Sequence, residues 1–329
     1  MPACPVCEAT EFSLLVEARR VAEECRWRER FVNERLARPA ADGALKDLTR
    51  FFHQGRADIL LCAGCTLLVR NEYENPSSEE YSEEIYDAAS IERVYPRYLE
   101  AFRAKEDPYR SLLAVGARVV EIGSHYGAFL QTAQEWDWRA EGVDIGKDTS
   151  RFARSKGFSV HARELRDCGF DSGSFDGVFI WNCFDQIADP KPMLMESRRI
   201  LKPGGLLALR TPNGLFYRLC ESLLADDGLE QDKAGFLTEA MAYNNLLGFP
   251  YLYGHSAATL ERLAEPCGFR LEGMRNSELL TFPLPENPQW VEREERAIGR
   301  EMHLLEGSML RSREGALIGP WIELWFRNS

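Results

Sequence analysis

The sequence feature that most constrains this chain is the segment 118–130, which reads RVVEIGSHYGAFL. Its apolar residues at 119–122 predict a short buried strand. Gly123 ends this run, and Gly127 precedes a segment of helical character at 128–135. A strand, a glycine turn and a helix are the first unit of a nucleotide-binding α/β sheet, because glycines let the backbone turn sharply and the helix start offers unpaired N–H groups.

The glycine spacing narrows the type of ligand. A dinucleotide loop would carry glycines at positions 125 and 128, where this chain has His125 and Ala128. A nicotinamide-dependent oxidoreductase is therefore disfavoured. The next apolar run ends in Asp144, 21 residues after Gly123, close to the ~20 residues expected before a carboxylate that binds ribose hydroxyls.

Strands and helices alternate along the rest of the chain, a pattern typical of a doubly wound, mostly parallel sheet. The predicted helices lie at 17–37, 95–109, 128–135, 147–156, 193–201, 257–267 and 289–305. The predicted strands lie at 59–61, 67–69, 119–122, 140–144, 158–161, 174–182, 206–209, 269–274 and 316–326.

Two Cys-x-x-Cys pairs stand near the start of the chain. Cys4 and Cys7 form the first pair, and Cys62 and Cys65 form the second after 54 intervening residues. Each pair can present two thiolates to one ion, so the pattern predicts a tetrahedral Zn²⁺ site. Four unrelated buried cysteines are the alternative, whereas a redox role is disfavoured because neither pair lies in a thioredoxin-like strand–helix unit.

Charge and composition restrict the partners. The net charge of −12 and the pI near 5.1 argue against nucleic acid, because phosphate binding relies on a surplus of Lys and Arg. No apolar run approaches the ~20 residues that span a bilayer, and the first residues lack a signal-peptide pattern. The chain is therefore expected to be cytoplasmic, in a reducing environment and without a membrane partner.

With four motifs in the family's order, the chain resembles the class I S-adenosylmethionine-dependent methyltransferases over about residues 112–275. These motifs are the segments 121–127, 171–176, 199–205 and 211–213. The paired cysteines are similar to those of zinc-containing bacterial methyltransferases that act on sugars and natural products. The resemblance implies an α/β fold with a Rossmann-like, doubly wound, seven-stranded methyltransferase sheet and a small N-terminal zinc-knuckle domain.

Three regions follow from this reading of the chain. We expect a zinc-knuckle domain with a helical insertion at 1–75 and a helical connector at 76–110. The S-adenosylmethionine-dependent methyltransferase domain is expected at 111–329, with a late helical insertion at about 280–312.

The resemblance also implies which residues bind the cofactor. Gly123 and Gly127 would shape the loop around the methionine moiety, Glu121 would support that loop, and Asp144 would hold the ribose. The full implied set is Glu121, Gly123, His125, Gly127, Asp144, Ile145, Glu164, Leu165, Trp181 and Asn182.

The residues that would act on the methyl acceptor are less clearly indicated by the sequence than those that would bind the cofactor. Relatives often carry Glu-His before the Asp-Pro helix, where this chain has Asp185 and Gln186, so a histidine base is absent there. Methyl transfer to a hydroxyl needs a proton acceptor. His255, in the aromatic segment 241–256, is the candidate base, with Tyr253 to orient the acceptor and Asp185 in reserve.

The predicted function is methyl transfer from S-adenosylmethionine, which becomes S-adenosylhomocysteine, to a small molecule with a structural Zn²⁺ nearby. The acceptor atom would be a hydroxyl, amine or carbon of a sugar or natural-product-like compound. A zinc-finger RNA methyltransferase and a non-catalytic S-adenosylmethionine-binding or scaffolding protein are the alternatives. A homodimer is a candidate assembly.

Overall fold

The computed structural model describes residues 3–35, 57–71, 88–277 and 316–329. The chain folds into two compact units, neither of which is continuous in sequence. The cysteine unit comprises Met1–Tyr73, Pro212–Leu260 and Arg275–Ile322. The seven-stranded unit comprises Glu74–Thr211, Glu261–Met274 and Glu323–Ser329.

The elements of the described residues are numbered along the chain. The strands are β1 Phe12–Val16, β2 Ile59–Cys62, β3 Leu68–Arg70, β4 Arg118–Ile122, β5 Arg139–Val143, β6 Ser159–His161, β7 Phe175–Ile180, β8 Leu201–Pro212, β9 Tyr253–Gly254, β10 Phe269–Ser277 and β11 Trp321–Asn328. The helices are α1 Ala18–Arg35, α2 Ala88–Arg103, α3 Glu106–Leu112, α4 Ala128–Glu135, α5 Lys147–Ser155, α6 Pro190–Ile200, α7 Gly214–Leu224, α8 Gln231–Tyr243 and α9 Ala257–Ala264.

The larger sheet has seven strands in the order β10-β11-β8-β7-β4-β5-β6. Strand β4 pairs in parallel with β5 and β7, and the parallel pairing continues from β5 to β6 and from β7 to β8. The predicted doubly wound, seven-stranded sheet is confirmed. The chain winds outward from β4 through β5 and β6 and then returns to β7, so the strand order reverses between β4 and β7. Ligands of such sheets bind beyond the carboxyl ends of the strands at this point.

The central strands are apolar because both faces of a parallel sheet are covered. Val119 and Val120 of β4 and Val178 and Ile180 of β7 are all fully buried. Because β4 and β7 are parallel neighbours, the segments that follow them lie at the same edge of the sheet. These segments are the glycine loop and the residues after Ile180.

In the cysteine unit, the strand order of the smaller sheet is β1-β2-β3-β9, with antiparallel pairing throughout. The strands predicted at 59–61 and 67–69, on either side of the second cysteine pair, are confirmed as β2 and β3, which pair antiparallel. Helices α1, α7 and α8 contribute the core that includes Val21, Phe31, Tyr217, Cys220 and Met241. The segment 212–260, which the sequence analysis assigned to the methyltransferase domain, thus supplies both a strand and two helices to the unit that contains the cysteines.

The other predicted elements have mixed outcomes. The helix predicted at 95–109 is two helices, α2 and α3, which end and begin at Arg103 and Glu106. Strand β8 begins at Leu201, immediately after α6, so the segment Lys-Pro-Gly-Gly at 202–205 belongs to the strand, which starts earlier than the predicted 206–209. The predicted helix at 289–305 and insertion at about 280–312 lie outside the described residues, and the boundaries 1–75, 76–110 and 111–329 stay a prediction. Among the described residues, no helix has the length and apolar character needed to cross a membrane.

Candidate cofactor site and metal centre

The loop after β4 brings two glycines against neighbouring side chains. Gly123 (φ 72°) and Gly127 (φ 78°) have left-handed backbone conformations, which L side chains rarely adopt. A Cβ atom at Gly123 would lie 2.6 Å from Cys183 Sγ, and one at Gly127 would lie 2.8 Å from a ring carbon of Phe158. A larger residue at either position would therefore force the loop to rearrange.

His125 lies between these glycines and also has a left-handed backbone, with φ 45°. Its ring centroid is 3.5 Å from that of Tyr126 and 5.7 Å from that of Tyr98. Burial lowers the pKa of His125 to about 4 because it disfavours the imidazolium. The ring is therefore neutral near pH 7, and its contact with a cofactor stays a prediction.

Asp144, at the end of β5, connects two turns. Its Oδ2 accepts a hydrogen bond from the His125 amide at 2.7 Å, and its Oδ1 accepts from the Gly146 amide at 2.8 Å and from Thr149 Oγ1 at 3.2 Å. Burial nevertheless raises the pKa of Asp144. A carboxylate offers about four acceptor positions, so Asp144 can hold the loop and still accept from a ligand hydroxyl.

Glu121, on β4, is a buried carboxyl group with an exposed fraction of 3%. Its Oε2 has no hydrogen-bond partner among the described residues. Burial, and secondarily the charge of Asp144, raises the pKa of Glu121 well above its usual range. A buried acceptor without a partner is costly, and a ligand that donates a hydrogen bond or carries positive charge would offset that cost.

The segment after β7 completes this edge of the sheet. Cys183 Sγ lies 3.5 Å from the Ile122 carbonyl oxygen, so the ends of β7 and β4 are adjacent. Burial raises the pKa of the Cys183 thiol, and the negative charges of Asp144, Asp185 and Glu121 raise it further. The carboxyl groups of Glu121, Asp144 and Asp185 therefore lie within electrostatic range of this sulfur.

Three further residues that are predicted to contact the cofactor follow β5 and β6. Ile145 is 36% exposed, an apolar surface directly after Asp144. Leu165 is buried, whereas Glu164 is exposed and pairs with Arg166 at 2.7 Å. Contacts of all three with the adenosine stay predictions.

Trp181 lies in an aromatic cluster at the end of β7. Its ring centroid is 5.2 Å from those of Tyr109 and Phe129 and 5.6 Å from that of Phe179. The side chain is 1% exposed, so in this structure it contributes to the core. The predicted cofactor contact of Trp181 has no test here and stays a prediction.

A buried polar network lies behind this cluster. Glu323 accepts hydrogen bonds from Lys105 and, at 2.9 Å, from the Tyr109 hydroxyl. Arg210 Nε is 3.9 Å from Glu323, and Arg210 Nη1 donates to Asn182 Oδ1. The network thus connects β8 and β11 with the exposed Asn182 at the carboxyl end of β7.

The sequence analysis missed Lys105, Arg210 and Glu323. A signal exists for two of them, because Arg210 interrupts the apolar run LLALRTP and Glu323 interrupts WIELWF. A charged residue inside a buried strand requires a partner. The partner of each was not readable, because 113 positions separate them in sequence.

The predicted catalytic residues His255 and Tyr253 belong to the cysteine unit. The His255 ring is fully buried, with Nδ1 3.5 Å from Thr259 Oγ1 and its centroid 6.0 Å from that of Tyr253. Burial lowers the pKa of His255 to about 3, which weakens it as a proton acceptor. The catalytic roles of His255 and Tyr253 stay predictions.

The structure brings together the four predicted zinc ligands. The Sγ atoms of Cys4, Cys7, Cys62 and Cys65 all lie within 4.8 Å of one another. Cys4 and Cys65 sulfurs are 3.6 Å apart, and those of Cys7 and Cys62 are 3.5 Å apart. Four sulfurs at ~2.3 Å from one tetrahedral ion would be separated by about 3.8 Å, so the spacing fits a single Zn²⁺.

The local backbone explains this convergence. Amides of Val6 and Cys7 donate to the Cys4 sulfur, and amides of Gly64 and Cys65 donate to the Cys62 sulfur. A Cβ atom at Gly64 would lie 2.9 Å from Cys7 Sγ. The glycine of the second Cys-x-x-Cys pair thus permits the close approach of the two knuckles.

Comparison with known proteins decides the family of the chain. A family model described as a methyltransferase domain matches residues 86–272, more than half of the 329 residues. The chain belongs to this methyltransferase family. The match includes the glycine loop, Asp144 and the end of β7, so the carboxyl edge of the seven-stranded sheet is the methyltransferase's expected cofactor site.

Two curated relatives match part of this chain. The methyltransferase is 27% identical over 105 residues to a ubiquinone biosynthesis O-methyltransferase of Xanthomonas oryzae pv. oryzae, covering 30% of this chain and 44% of the relative. It is 28% identical over 101 residues to a demethylmenaquinone methyltransferase of Tropheryma whipplei, covering 30% and 42%. The chain therefore spans less than half the length of these two relatives.

Solved structures of methyltransferases are also similar at low identity. A SAM dependent methyltransferase from Archaeoglobus fulgidus is 18% identical with a TM-score of 0.43, covering 73% of this chain and 100% of the other. A likeness of this size adds nothing to the family assignment, which rests on the family model.

Proposed function

We propose that this protein transfers a methyl group from S-adenosylmethionine to a small-molecule acceptor. The observation that carries the proposal is the pair of buried or half-buried carboxyls, Glu121 and Asp144, at the strand ends beside the glycine loop. Burial raises the pKa of both. Such a group favours a ligand that is cationic and carries hydrogen-bond donors.

S-adenosylmethionine fits these residues. It carries a sulfonium and an ammonium, which suit the acidic surroundings, and two ribose hydroxyls, which suit the remaining acceptor capacity of Asp144. Gly123 and Gly127 let Cys183 and Phe158 pack closely against the loop, which fixes its backbone for a ligand. When bound, the cofactor supplies a methyl group that is already activated by the sulfonium.

The protein's contribution is then mainly alignment. Asp144 holds the glycine loop through the His125 amide and the start of α5 through the Gly146 amide. The aromatic cluster around Trp181 is buried at the end of β7 and would exclude water from that side of the site. Alignment and exclusion of water account for much of the rate of a displacement between two bound partners.

The class of acceptor is proposed from charge and from relatives. A net charge of −12 disfavours RNA. One relative is named a ubiquinone biosynthesis O-methyltransferase, and another is named a demethylmenaquinone methyltransferase. We therefore favour a small organic acceptor over a nucleic acid, with the chain acting as a catalyst and not as a scaffold.

We also propose that Cys4, Cys7, Cys62 and Cys65 hold a structural Zn²⁺. The sulfur spacing and the soft donor set support this metal. Four thiolates leave no coordination position for a substrate, so the ion would stabilise the cysteine unit without entering the reaction.

Calorimetric titration with S-adenosylhomocysteine tests the cofactor assignment directly, with NADH as the competing ligand. We expect binding of S-adenosylhomocysteine with one site per chain and none of NADH. Failure of wild-type, folded protein to bind S-adenosylhomocysteine would reject the proposal. Binding without methyl transfer across amines, hydroxyls, thiols and activated carbons would instead support the scaffolding alternative.

A further inference from the structure

The Asp185 carboxyl is the buried polar group that the cofactor assignment does not use. Asp185 lies in a single 3-10 turn, Phe184–Gln186, directly after β7, and it is 1% exposed. Both of its carboxyl oxygens lack a hydrogen-bond partner of normal geometry among the described residues. An unpartnered buried carboxylate is destabilising, so its retention at the ligand-binding edge of the sheet indicates a use that the free protein does not show.

Asp185 lies after β7, at the carboxyl edge of the sheet. Cys183, whose sulfur lies 3.5 Å from the Ile122 carbonyl oxygen, is within electrostatic range of Asp185, Asp144 and Glu121. The Asp185 backbone amide and the Arg210 guanidinium of β8 both favour the ionised form of Asp185. Burial outweighs this effect and raises the pKa of Asp185 to about 7.

The protonation state of Asp185 decides the net charge that it forms together with the neighbouring polar network. Glu323 is contacted by both Lys105 and Arg210, and it also accepts from Tyr109. With Asp185 ionised, the two cations match the two carboxylates. With Asp185 protonated, the network carries one surplus positive charge. Both states are accessible near neutral pH, as a residue that accepts and releases a proton in each turnover requires.

We propose that Asp185 is the catalytic base for an acceptor that reacts through a hydroxyl group. The hydroxyl proton passes to an Asp185 oxygen as the hydroxyl oxygen forms its bond to the methyl carbon. The carbon–sulfur bond breaks, and its electron pair stays on sulfur. The products are a methyl ether, S-adenosylhomocysteine and protonated Asp185, which then releases its proton to solvent.

A hydroxyl is the acceptor class that requires this group. A neutral amine or a thiolate can attack the methyl carbon without prior loss of a proton, so neither needs a buried carboxylate at this place. A hydroxyl is weakly nucleophilic until its proton is removed, and general-base assistance contributes about 10²–10⁴-fold in rate. Arg210 is the positioning residue, because its contacts with Glu323 and Asn182 fix the charge that keeps Asp185 ionisable.

This inference rests on the proposed methyl transfer, and its first test does not need the natural acceptor. The carboxyl infrared band of Asp185 is isolated as the difference between wild type and Asp185→Asn in the S-adenosylhomocysteine complex. We expect a protonated band that disappears with a midpoint near pH 7, because burial raises the pKa of Asp185 to about 7. An Asp185 that stays ionised, or stays protonated, from pH 5 to 9 would overturn the proposal.

The second test measures methyl transfer from radiolabelled S-adenosylmethionine to matched compounds. Catechol, 4-hydroxybenzoate and glucose are compared with 1,2-phenylenediamine, 4-aminobenzoate and glucosamine. We expect label in the hydroxyl compounds and a loss of about 10²–10⁴-fold in their turnover in Asp185→Asn. Methylation confined to amines would overturn the proposal, and the titration decides the question if the panel contains no substrate.

Two control variants separate catalysis from structure. Asp189→Asn makes the same change at an exposed carboxylate four residues away and should leave turnover unchanged. Asp185→Asn should bind S-adenosylhomocysteine within about twofold of wild type and melt no lower, because it removes an unpartnered buried charge.

His255→Ala provides the opposing outcome. A loss of turnover in His255→Ala at unchanged melting temperature, with full turnover in Asp185→Asn, would assign the base to His255 and overturn the proposal. Failure of the wild type to bind S-adenosylhomocysteine would reject the proposed function itself. Binding of S-adenosylhomocysteine, together with an Asp185 infrared band that does not change from pH 5 to 9, would reject only this inference.

Discussion

Buried carboxyl groups in the two units of this methyltransferase differ in their hydrogen bonding. In the cysteine unit, Glu24 and Glu221 are in hydrogen-bond contact with each other, and Glu24 Oε2 also accepts from Tyr217 at 3.1 Å and from the Gly248 amide at 2.7 Å. In the seven-stranded unit, Asp185 has no such partners among the described residues. Glu24 thus has two hydrogen-bond donors on Oε2 and Arg20 Nε at 3.6 Å from Oε1, whereas both Asp185 oxygens remain as acceptors that a ligand can use.

The difference shows how buried polar groups can be sorted. A carboxyl that is anchored by several elements of its own unit, like Glu24, is accounted for by folding. A carboxyl that is buried at the ligand edge of a parallel sheet without partners, like Asp185 or Glu121, costs stability and is accounted for by binding or catalysis. Raised pKa alone does not separate the two cases, because burial raises the pKa of all of them.

The largest expected effect tests the metal of the cysteine unit. Cys62→Ser should lower zinc content from one ion per chain to well below one, because four thiolates define the site. Zinc binding contributes about 10 kcal/mol or more in small zinc domains, so the melting temperature of this unit should fall steeply. Elemental analysis and calorimetric melting measure the two effects.

Cys220→Ser is the matched control, because Cys220 is a fully buried cysteine of the same unit outside the cluster. It should retain zinc. Wild-type protein purified without chelator and free of stoichiometric metal would contradict the zinc assignment.

The next effect tests the glycine loop of the seven-stranded unit. Gly123→Val combines a left-handed backbone at φ 72° with a Cβ 2.6 Å from Cys183 Sγ. We expect S-adenosylhomocysteine affinity to fall by about 3 kcal/mol or more, the scale of strain and overpacking together. Isothermal calorimetry measures the change.

Gly116→Val separates strain from close approach. Gly116 has a similar φ of 79°, but a Cβ there would meet nothing within 4 Å. It should reduce stability by about 1 kcal/mol while leaving the affinity intact. Equal losses of affinity in both variants would show that the Cys183 contact is irrelevant.

A smaller effect is expected from the carboxylate that connects the two turns. Asp144→Ala should weaken S-adenosylhomocysteine binding by about 1–3 kcal/mol, the scale for hydrogen bonds to a charged group. It should also lower the melting temperature, because the His125 and Gly146 amides lose their acceptor. Asp148→Ala, in the first turn of α5, should change neither property by as much. Unchanged affinity in Asp144→Ala would show that the ribose is bound elsewhere.

The smallest expected effect is a pH dependence of the free energy of unfolding, caused by the Glu24–Glu221 pair. Burial, with the charge of Glu221, raises the pKa of Glu24 in the folded state above its ordinary value of 4.5. The folded state then binds the more protons, so the free energy of unfolding falls as pH rises from about 5 through the folded pKa. Glu24→Gln, which cannot ionise, should remove about 1 kcal/mol of this decline between pH 6 and 8.

Chemical denaturation at several pH values measures this decline, with Glu23→Gln as the control because Glu23 is exposed on the same helix. If wild type and Glu24→Gln lose stability in parallel, the Glu24–Glu221 pair does not take up a proton on folding.

Local sequence pattern was sufficient to predict the sheet, the glycine loop with Asp144 and the cluster of four cysteines. The apolar strand, the glycines and Asp144 follow one another within 27 residues, so the sequence determined the order of β4, the loop and β5. Two Cys-x-x-Cys pairs were sufficient to predict the cluster, because each knuckle is local and the metal geometry admits few arrangements.

Only the tertiary structure decided where charges meet. Lys105, Arg210 and Glu323 come from three distant segments, and their contacts depend on which strands are neighbours in the sheet. The same applies to the unit that the segment 212–260 joins, because Gly254 pairs with Leu68 of the cysteine hairpin. Sequence spacing carries local geometry, but burial and long-range pairing depend on the whole fold. The sequence therefore determined the methyltransferase sheet and the cysteine cluster, and the fold decided that Asp185, in the part of the chain that the structure describes, keeps both carboxyl oxygens buried without a hydrogen-bond partner.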